Sequence, residues 1–141
     1  MNAPPRRPDF FGLPNGSKSP LPFSTSEYDG RLIALGRLMA DEGLRAVLLA
    51  ALHSVGYYSG FLYCSFGRPY ACIVTETDCT TISANIDLGQ PWRRCYGDNL
   101  IYTDWKRDNY WRAVNHVLAD ARAVGIEGDH LTLAAHRKME T

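Results

Sequence analysis

The sequence predicts a mixed α/β fold in which helices flank a partly antiparallel sheet. Three observations predict it: two amphipathic helical segments, one short uninterrupted apolar run, and two strand-like segments joined by a tight turn. The order helix, strand, hairpin, strand, helix, strand is typical of a domain built from packed layers around one core. A chain of 141 residues has the length of one such domain.

The first predicted helix begins after Ser24. Ser24 and Glu27 have the spacing of a capping box, in which side chains bind free backbone amides of the first turn. The apolar residues that follow share one helical face: Tyr28, Leu32, Leu35 and Met39. Gly43 is expected to end this helix. A second long helix is predicted after a cap at Asp108, with an apolar stripe of Trp111, Val114, Val117, Leu118 and Ala121.

Four of the predicted strands lie between these two helices, and a fifth follows the second helix. Residues 45–51 form a continuous apolar run, which indicates a central strand covered on both faces. Residues 53–59 predict a short helical turn, and residues 69–75 predict a second strand. Residues 76–78 supply turn chemistry before the strand-like residues 80–84, so a hairpin is expected. Two further strands and a last helical segment follow: residues 99–103, 124–127 and 131–139.

The first 23 residues contain six of the eight prolines and show neither helical nor strand periodicity. Such a composition predicts a flexible or extended arm outside the core, available for contact with a neighbour. Residues 24–141 are then the folded domain. Because no glycine or proline follows the last helical segment, we expect the sequence to stop short of a further domain.

Composition excludes several classes of function. The charges of fifteen basic and fifteen acidic side chains cancel, so the net charge does not predict binding to nucleic acid or to an anionic membrane. The amino terminus carries neither a secretory signal nor a membrane span, and we expect a cytoplasmic protein. The cysteines lack a C-x-x-C pair and are interpreted as reduced structural thiols: Cys64, Cys72, Cys79 and Cys95.

The sequence contains no self-sufficient active site, so no catalytic residue is assigned to this chain. The four histidines form no metal-binding motif, and we predict no metal: His53, His116, His130 and His136. The chain has no nucleophile elbow, Walker loop or dinucleotide-binding motif, and no cofactor is predicted.

The loop of residues 61–70 is the segment most typical of ligand contact. Arg68, held between Gly67 and Pro69, can present a planar fork to a carboxylate through two parallel hydrogen bonds. Phe66 would add an apolar wall beside it. The alternative is that Arg68 pairs with a carboxylate of its own domain and that Phe66 belongs to the core.

A second group of polar and aromatic residues lies in residues 83–94 and 103–110. Tryptophan and arginine are enriched at the centres of subunit interfaces, which favours a subunit contact. The alternative is a pair of surface loops with half-buried indoles and solvated charges.

Three strings resemble the amino-terminal domain of the creatinase and prolidase family, and within it the creatinases: residues 57–71, 83–94 and 102–110. The resemblance covers about residues 24–133. It implies a ribonuclease H-like α/β domain that precedes a larger catalytic domain.

The resemblance further implies a homodimer in which this domain leans over the partner subunit's active site. Phe66 and Arg68 match the family positions that reach across, where the arginine helps to hold the substrate carboxylate. The implied reaction is hydrolysis of creatine to sarcosine and urea, with its catalytic residues outside this chain and without metal. Two alternatives stay open: a related Xaa-Pro peptidase or lyase, and a non-catalytic binding or dimerisation module.

Overall fold

The computed structural model describes residues 6–63 and 67–139. Within these residues the strands are β1 (Phe10–Phe11), β2 (Ala46–Leu49), β3 (Ala71–Thr75), β4 (Cys79–Ala84), β5 (Asp98–Tyr102) and β6 (Val124–Ile126). The α-helices are α1 (Thr25–Asp41), α2 (Leu52–Ser59), α3 (Asn109–Val117) and α4 (Leu133–Met139). Short 3-10 turns lie at Asn85–Asp87 and Trp92–Arg94.

The strands form one sheet in the order β1-β5-β4-β3-β2-β6. The β1–β5, β2–β3 and β3–β4 pairs are antiparallel, whereas β4–β5 and β2–β6 are parallel. The predicted fold class, a mixed and partly antiparallel sheet flanked by helices, is confirmed. β2 has all four residues buried and neighbours on both sides, as its apolar run predicted.

Helix α1 begins at its predicted cap. The Ser24 Oγ atom accepts a hydrogen bond from the Glu27 backbone N–H at 3.3 Å. The Glu27 carboxylate does not complete the capping box but accepts from Arg31 Nε at 3.0 Å. Gly43 follows the helix with φ of 68°, a left-handed conformation that glycine adopts without steric cost.

The start of α3 differs from the prediction. Asp108 occupies the cap position with φ of 65°, but its side chain makes no capping hydrogen bond. Its carboxylate instead accepts from Lys138 Nζ at 2.9 Å, which joins α3 to α4. The helix has nine residues and is shorter than predicted, although Leu118 beyond its end is still buried.

The two faces of the sheet bury separate apolar clusters, because successive residues of a strand point to opposite faces. Leu48 and Ile73 pack on the face covered by α3, together with Tyr110 and Val114 of that helix. Val47, Leu49 and Val74 pack on the other face, with these residues of the helices and strands: Leu35, Met39, Val55, Cys72 and Cys79. The site described below lies in the loops at one end of the strands of this sheet.

The arm contributes strand β1, which the sequence did not predict. Phe10 pairs with Tyr102 and Phe11 with Ile101, and Phe10 packs against the core. A two-residue strand is too short to show a period. Farther along, Lys18 Nζ donates to the carbonyl oxygens of three residues at 2.6, 2.9 and 2.6 Å: Trp92, Cys95 and Gly97. The flexibility expected of the arm in solution stays a prediction.

In the part of the chain that the structure covers, no helix combines the length and the hydrophobicity that a membrane span needs. Cys72, Cys79 and Cys95 are buried free thiols, while Cys64 lies outside the described residues.

Candidate functional site

Several loops meet at one edge of the sheet. β2 and β6 run parallel, β4 and β5 run parallel, and β3 is antiparallel to both of its neighbours. The carboxyl ends of β2, β4, β5 and β6 therefore meet the amino end of β3. We call this the carboxyl edge; it comprises residues 50–51, 67–70, 85–87, 103–104 and 127–130.

Arg68 lies on the carboxyl edge, and its Nη1 donates a hydrogen bond to Asp104 Oδ1, which follows β5. This contact matches the alternative that the sequence leaves open for Arg68, pairing with a carboxylate of the same domain. The pair is not sealed from solvent, because the side chains of Arg68 and Asp104 are 39% and 37% exposed. The guanidinium can therefore still meet a ligand or another subunit.

Two cavities adjoin Arg68, and they share four lining residues: Arg68, Pro69, Tyr110 and Trp111. The larger measures about 410 Å³ and is also lined by the charged residues Asp104, Lys106, Arg107 and Asp108. The smaller measures about 220 Å³ and is lined by Tyr63, Tyr70 and His130 among others. Arg68 thus lies between a charged cavity and an aromatic one.

The aromatic wall is rigidly held. The rings of Tyr63 and Tyr70 stack with centroids 4.1 Å apart. Tyr63 OH donates to the Ala50 carbonyl oxygen at 3.1 Å, and Tyr70 OH donates to Asp87. Tyr102 OH donates to the Pro69 carbonyl oxygen at 3.0 Å, which fixes the residue next to Arg68.

Three phenol groups near Arg68 stay in their neutral form. Burial raises the pKa of Tyr63, Tyr102 and Tyr110 above the ordinary value for tyrosine. They remain protonated at neutral pH, and each already donates its O–H proton to a backbone carbonyl oxygen of the domain. Their rings are therefore the part that can pack against an apolar group.

Glu127 organises the edge beside β2, a role that sequence analysis missed. Its carboxylate accepts hydrogen bonds from the backbone N–H groups of Ala50 and Ala51 at 2.7 and 2.8 Å, and from Ser54 Oγ. It therefore caps α2, whose own cap residue has no capping side chain. Burial opposes ionisation, but these hydrogen bonds and nearby His130 together lower the pKa of Glu127.

The other predicted residues have different outcomes. Phe66 lies outside the described residues, so its role stays a prediction. Trp92 contacts the arm, with Lys18 Nζ 4.3 Å from its ring centroid, and Trp105 Nε1 donates to the Pro8 carbonyl oxygen at 2.7 Å. Within residues 6–63 and 67–139, no group of three or more His, Cys, Asp or Glu side chains is arranged to hold a metal ion.

Comparison with known proteins identifies the family to which this chain belongs. The sequence model of the Creatinase/Prolidase N-terminal domain family matches residues 31–141 of this chain. The creatinase of a Bacillus species (strain B-0618) is 44% identical over 133 residues, which cover 91% of this chain and 32% of that protein. The chain thus spans about a third of the length of this curated relative.

Solved structures share the fold. The Creatinase/Prolidase N-terminal domain of an X-Pro dipeptidase from Streptococcus pyogenes superimposes with a TM-score of 0.69 at 15% identity, covering 79% of this chain and 86% of that one. The prolidase of Pyrococcus horikoshii has a TM-score of 0.63 at 17% identity, covering 79% and 29%. The matched residues, which include the whole sheet except β1, show that the chain belongs to the Creatinase/Prolidase N-terminal domain family.

Proposed function

We propose that this chain is the amino-terminal domain of a creatinase-like amidinohydrolase, which hydrolyses creatine to sarcosine and urea. In this proposal the chain supplies dimer contacts and recognition of the substrate carboxylate, and a following domain performs the chemistry. The observation that carries the proposal is the 44% identity to a creatinase over nearly the whole chain. The dipeptidase neighbours, at 14–17% identity, support the fold alone.

Arg68 is the residue proposed to bind the carboxylate of creatine. Its guanidinium is partly exposed, borders an aromatic cavity and belongs to a loop fixed by Tyr102. Two parallel N–H···O bonds from one guanidinium match the geometry of a carboxylate. Phe66, two residues earlier, is proposed to pack against the apolar part of the same substrate.

The carboxyl edge is proposed to lean over the active site of a partner subunit in a homodimer. Two large exposed apolar side chains would lose their contact with water on docking: Ile86 on this edge, at 72% exposure, and Leu88 directly after it, at 50%. A single carboxylate contact rarely offsets the cost of immobilising a small ligand. We therefore expect calorimetry of this chain alone with creatine to detect no binding.

We also propose that the full-length protein is cytoplasmic. The first test of the proposed function asks which substrate the full-length protein hydrolyses. Urea release from creatine supports the proposal. Absence of urea release, together with cleavage of Xaa-Pro dipeptides, would show that the full-length protein is a peptidase of the same family. If the chain alone binds creatine as tightly as a complete enzyme does, a self-contained binding module is the better description.

The second test is Arg68→Ala in the full-length protein. Loss of a hydrogen bond to a charged group costs about 1.5–3 kcal/mol, so substrate binding should weaken by roughly 10- to 150-fold. Arg68→Lys keeps the charge but not the fork and should recover only part of the loss. Unchanged KM and kcat in Arg68→Ala would reject the proposed role.

A further inference from the structure

We propose that Asp104 is a positioning residue, which holds the Arg68 guanidinium so that its unused N–H groups can receive a substrate carboxylate. This inference rests on the proposed function and adds a second residue to the same site. It starts from the hydrogen bond between Arg68 Nη1 and Asp104 Oδ1, which joins residues 36 positions apart.

The pairing leaves most of the guanidinium available. A guanidinium carries five N–H donors in one plane. Among the described residues, Arg68 donates only through Nη1, to Asp104. The opposite side of the group, formed by Nε and Nη2, is one of the sides that binds a carboxylate through two parallel hydrogen bonds. Asp104 can therefore orient Arg68 without occupying that side.

The surroundings of the pair differ in charge on its two sides. Asp104 lines the larger cavity but not the smaller one, whereas Arg68 lines both. No Asp or Glu is among the described residues that line the smaller cavity. A carboxylate that approaches Arg68 through this aromatic cavity would meet no lining carboxylate to repel it. We place the substrate carboxylate on that side.

Asp104 is itself held in place by the amino-terminal arm. Thr103 Oγ1 and Trp105 Nε1 both donate to the Pro8 carbonyl oxygen, at 2.8 and 2.7 Å. The Thr103 backbone N–H donates to the Asp9 carbonyl oxygen at 2.9 Å. Both neighbours of Asp104 are thus tied to the arm. The support runs from the arm through residues 103–105 to Arg68.

A competing explanation makes the opposite prediction. If Asp104 occupied the place of the substrate carboxylate, removing its charge would free Arg68 and lower KM. If Asp104 positions Arg68, removing its charge lets the guanidinium rotate and raises KM. The sign of the change in KM therefore separates the two roles.

The test compares Asp104→Asn, Arg68→Ala and the double variant in the full-length protein with creatine. Asp104→Asn should raise KM about tenfold, the scale of coupling within one hydrogen-bond network, and change kcat by less than about twofold. In the Arg68→Ala background the same substitution should change nothing further. Asp104→Glu should restore part of the affinity. The control is Glu76→Gln, which removes an exposed ion pair with Arg45 at the far edge of the sheet.

A nuclear magnetic resonance measurement on this chain tests the positioning contact without turnover. The Arg68 Nε–H signal should be distinct in the wild-type chain and should move toward that of a free arginine in Asp104→Asn. An unchanged signal would overturn the inference, as would a lower KM or an equal effect in the Arg68→Ala background. If wild-type protein does not hydrolyse creatine, or Arg68→Ala behaves as wild type, the proposed function fails, and the signal alone decides the role of Asp104.

Discussion

Glu127→Ala should destabilise the fold by removing the carboxylate that caps α2. The substitution leaves the Ala50 and Ala51 backbone N–H groups and Ser54 Oγ without their acceptor. Loss of a capping side chain costs about 1–2 kcal/mol. The bond to Ser54 is only partly buried, so its loss adds about 1 kcal/mol, for a total of about 2–3 kcal/mol. At about 3–5 °C for each kcal/mol in a domain of this size, Tm should fall by roughly 6–15 °C.

The stability contributed by the Glu127 carboxylate should decrease as the pH is lowered. The pKa of Glu127 is lower in the folded chain than its ordinary value. Its ionised form therefore adds stability that is fully present above the unfolded pKa of about 4.3 and is lost as pH falls through the folded pKa. The difference in stability between wild type and Glu127→Gln should shrink as pH is lowered below about 5.

Urea denaturation of the chain at several pH values measures both effects. Ser54→Ala removes one of the three hydrogen bonds and should lose about a third of the stability lost in Glu127→Ala. Glu42→Gln, at the exposed end of α1, is the matched control and should stay within about 0.5 kcal/mol of wild type. Equal stability of Glu127→Ala and wild type, or a difference that does not change with pH, would refute the capping role.

Two further predictions concern backbone space and the arm. Gly97→Ala should cost more than about 2 kcal/mol in chemical denaturation, because φ is 81° and an added Cβ would lie 2.1 Å from the Cys79 carbonyl oxygen. The control Gly36→Ala, on α1 with no atom within 4 Å, should be neutral or stabilising by about 0.5–1 kcal/mol. Lys18→Ala should speed amide hydrogen exchange of Ser19, whose N–H donates to the Arg93 carbonyl oxygen at 2.7 Å, and unchanged exchange would contradict an anchoring role.

The parts of the fold that the sequence predicts are those with local signals. Ser24 and Glu27 lie three residues apart, and the β3–β4 hairpin closes through a hydrogen bond from the Thr75 N–H to the Asp78 carbonyl oxygen. Apolar spacing likewise placed both faces of β2 in the core. In each case the interacting groups are neighbours in sequence, so propensity and period are sufficient to find them.

The parts that escaped prediction depend on long-range contacts. Glu127 accepts a hydrogen bond from the Ala50 N–H, 77 residues earlier in the sequence, and Asp104 accepts one from Arg68 across 36 residues. Asp108 has the right residue type for a helix cap, yet its carboxylate accepts a hydrogen bond from Lys138 of α4 instead. Only the strand order brings these partners together, and periodicity within one segment carries no information about it.

The contacts at the carboxyl edge bear on the proposed function, in which this chain binds the substrate and a following domain performs the chemistry. A general base needs a free carboxylate or imidazole within reach of the substrate. Four carboxylates near this edge already have partners: Asp87 with Tyr70, Asp104 with Arg68, Asp108 with Lys138, and Glu127 with the start of α2. The imidazole of His130 also lies on this edge, lines the smaller cavity with Arg68 and interacts with the Glu127 carboxylate. The buried phenols hold their protons because their pKa is raised. Partly exposed Arg68 and its aromatic wall are therefore suited to binding an anionic group, and the proposal assigns proton transfer to residues of the following domain.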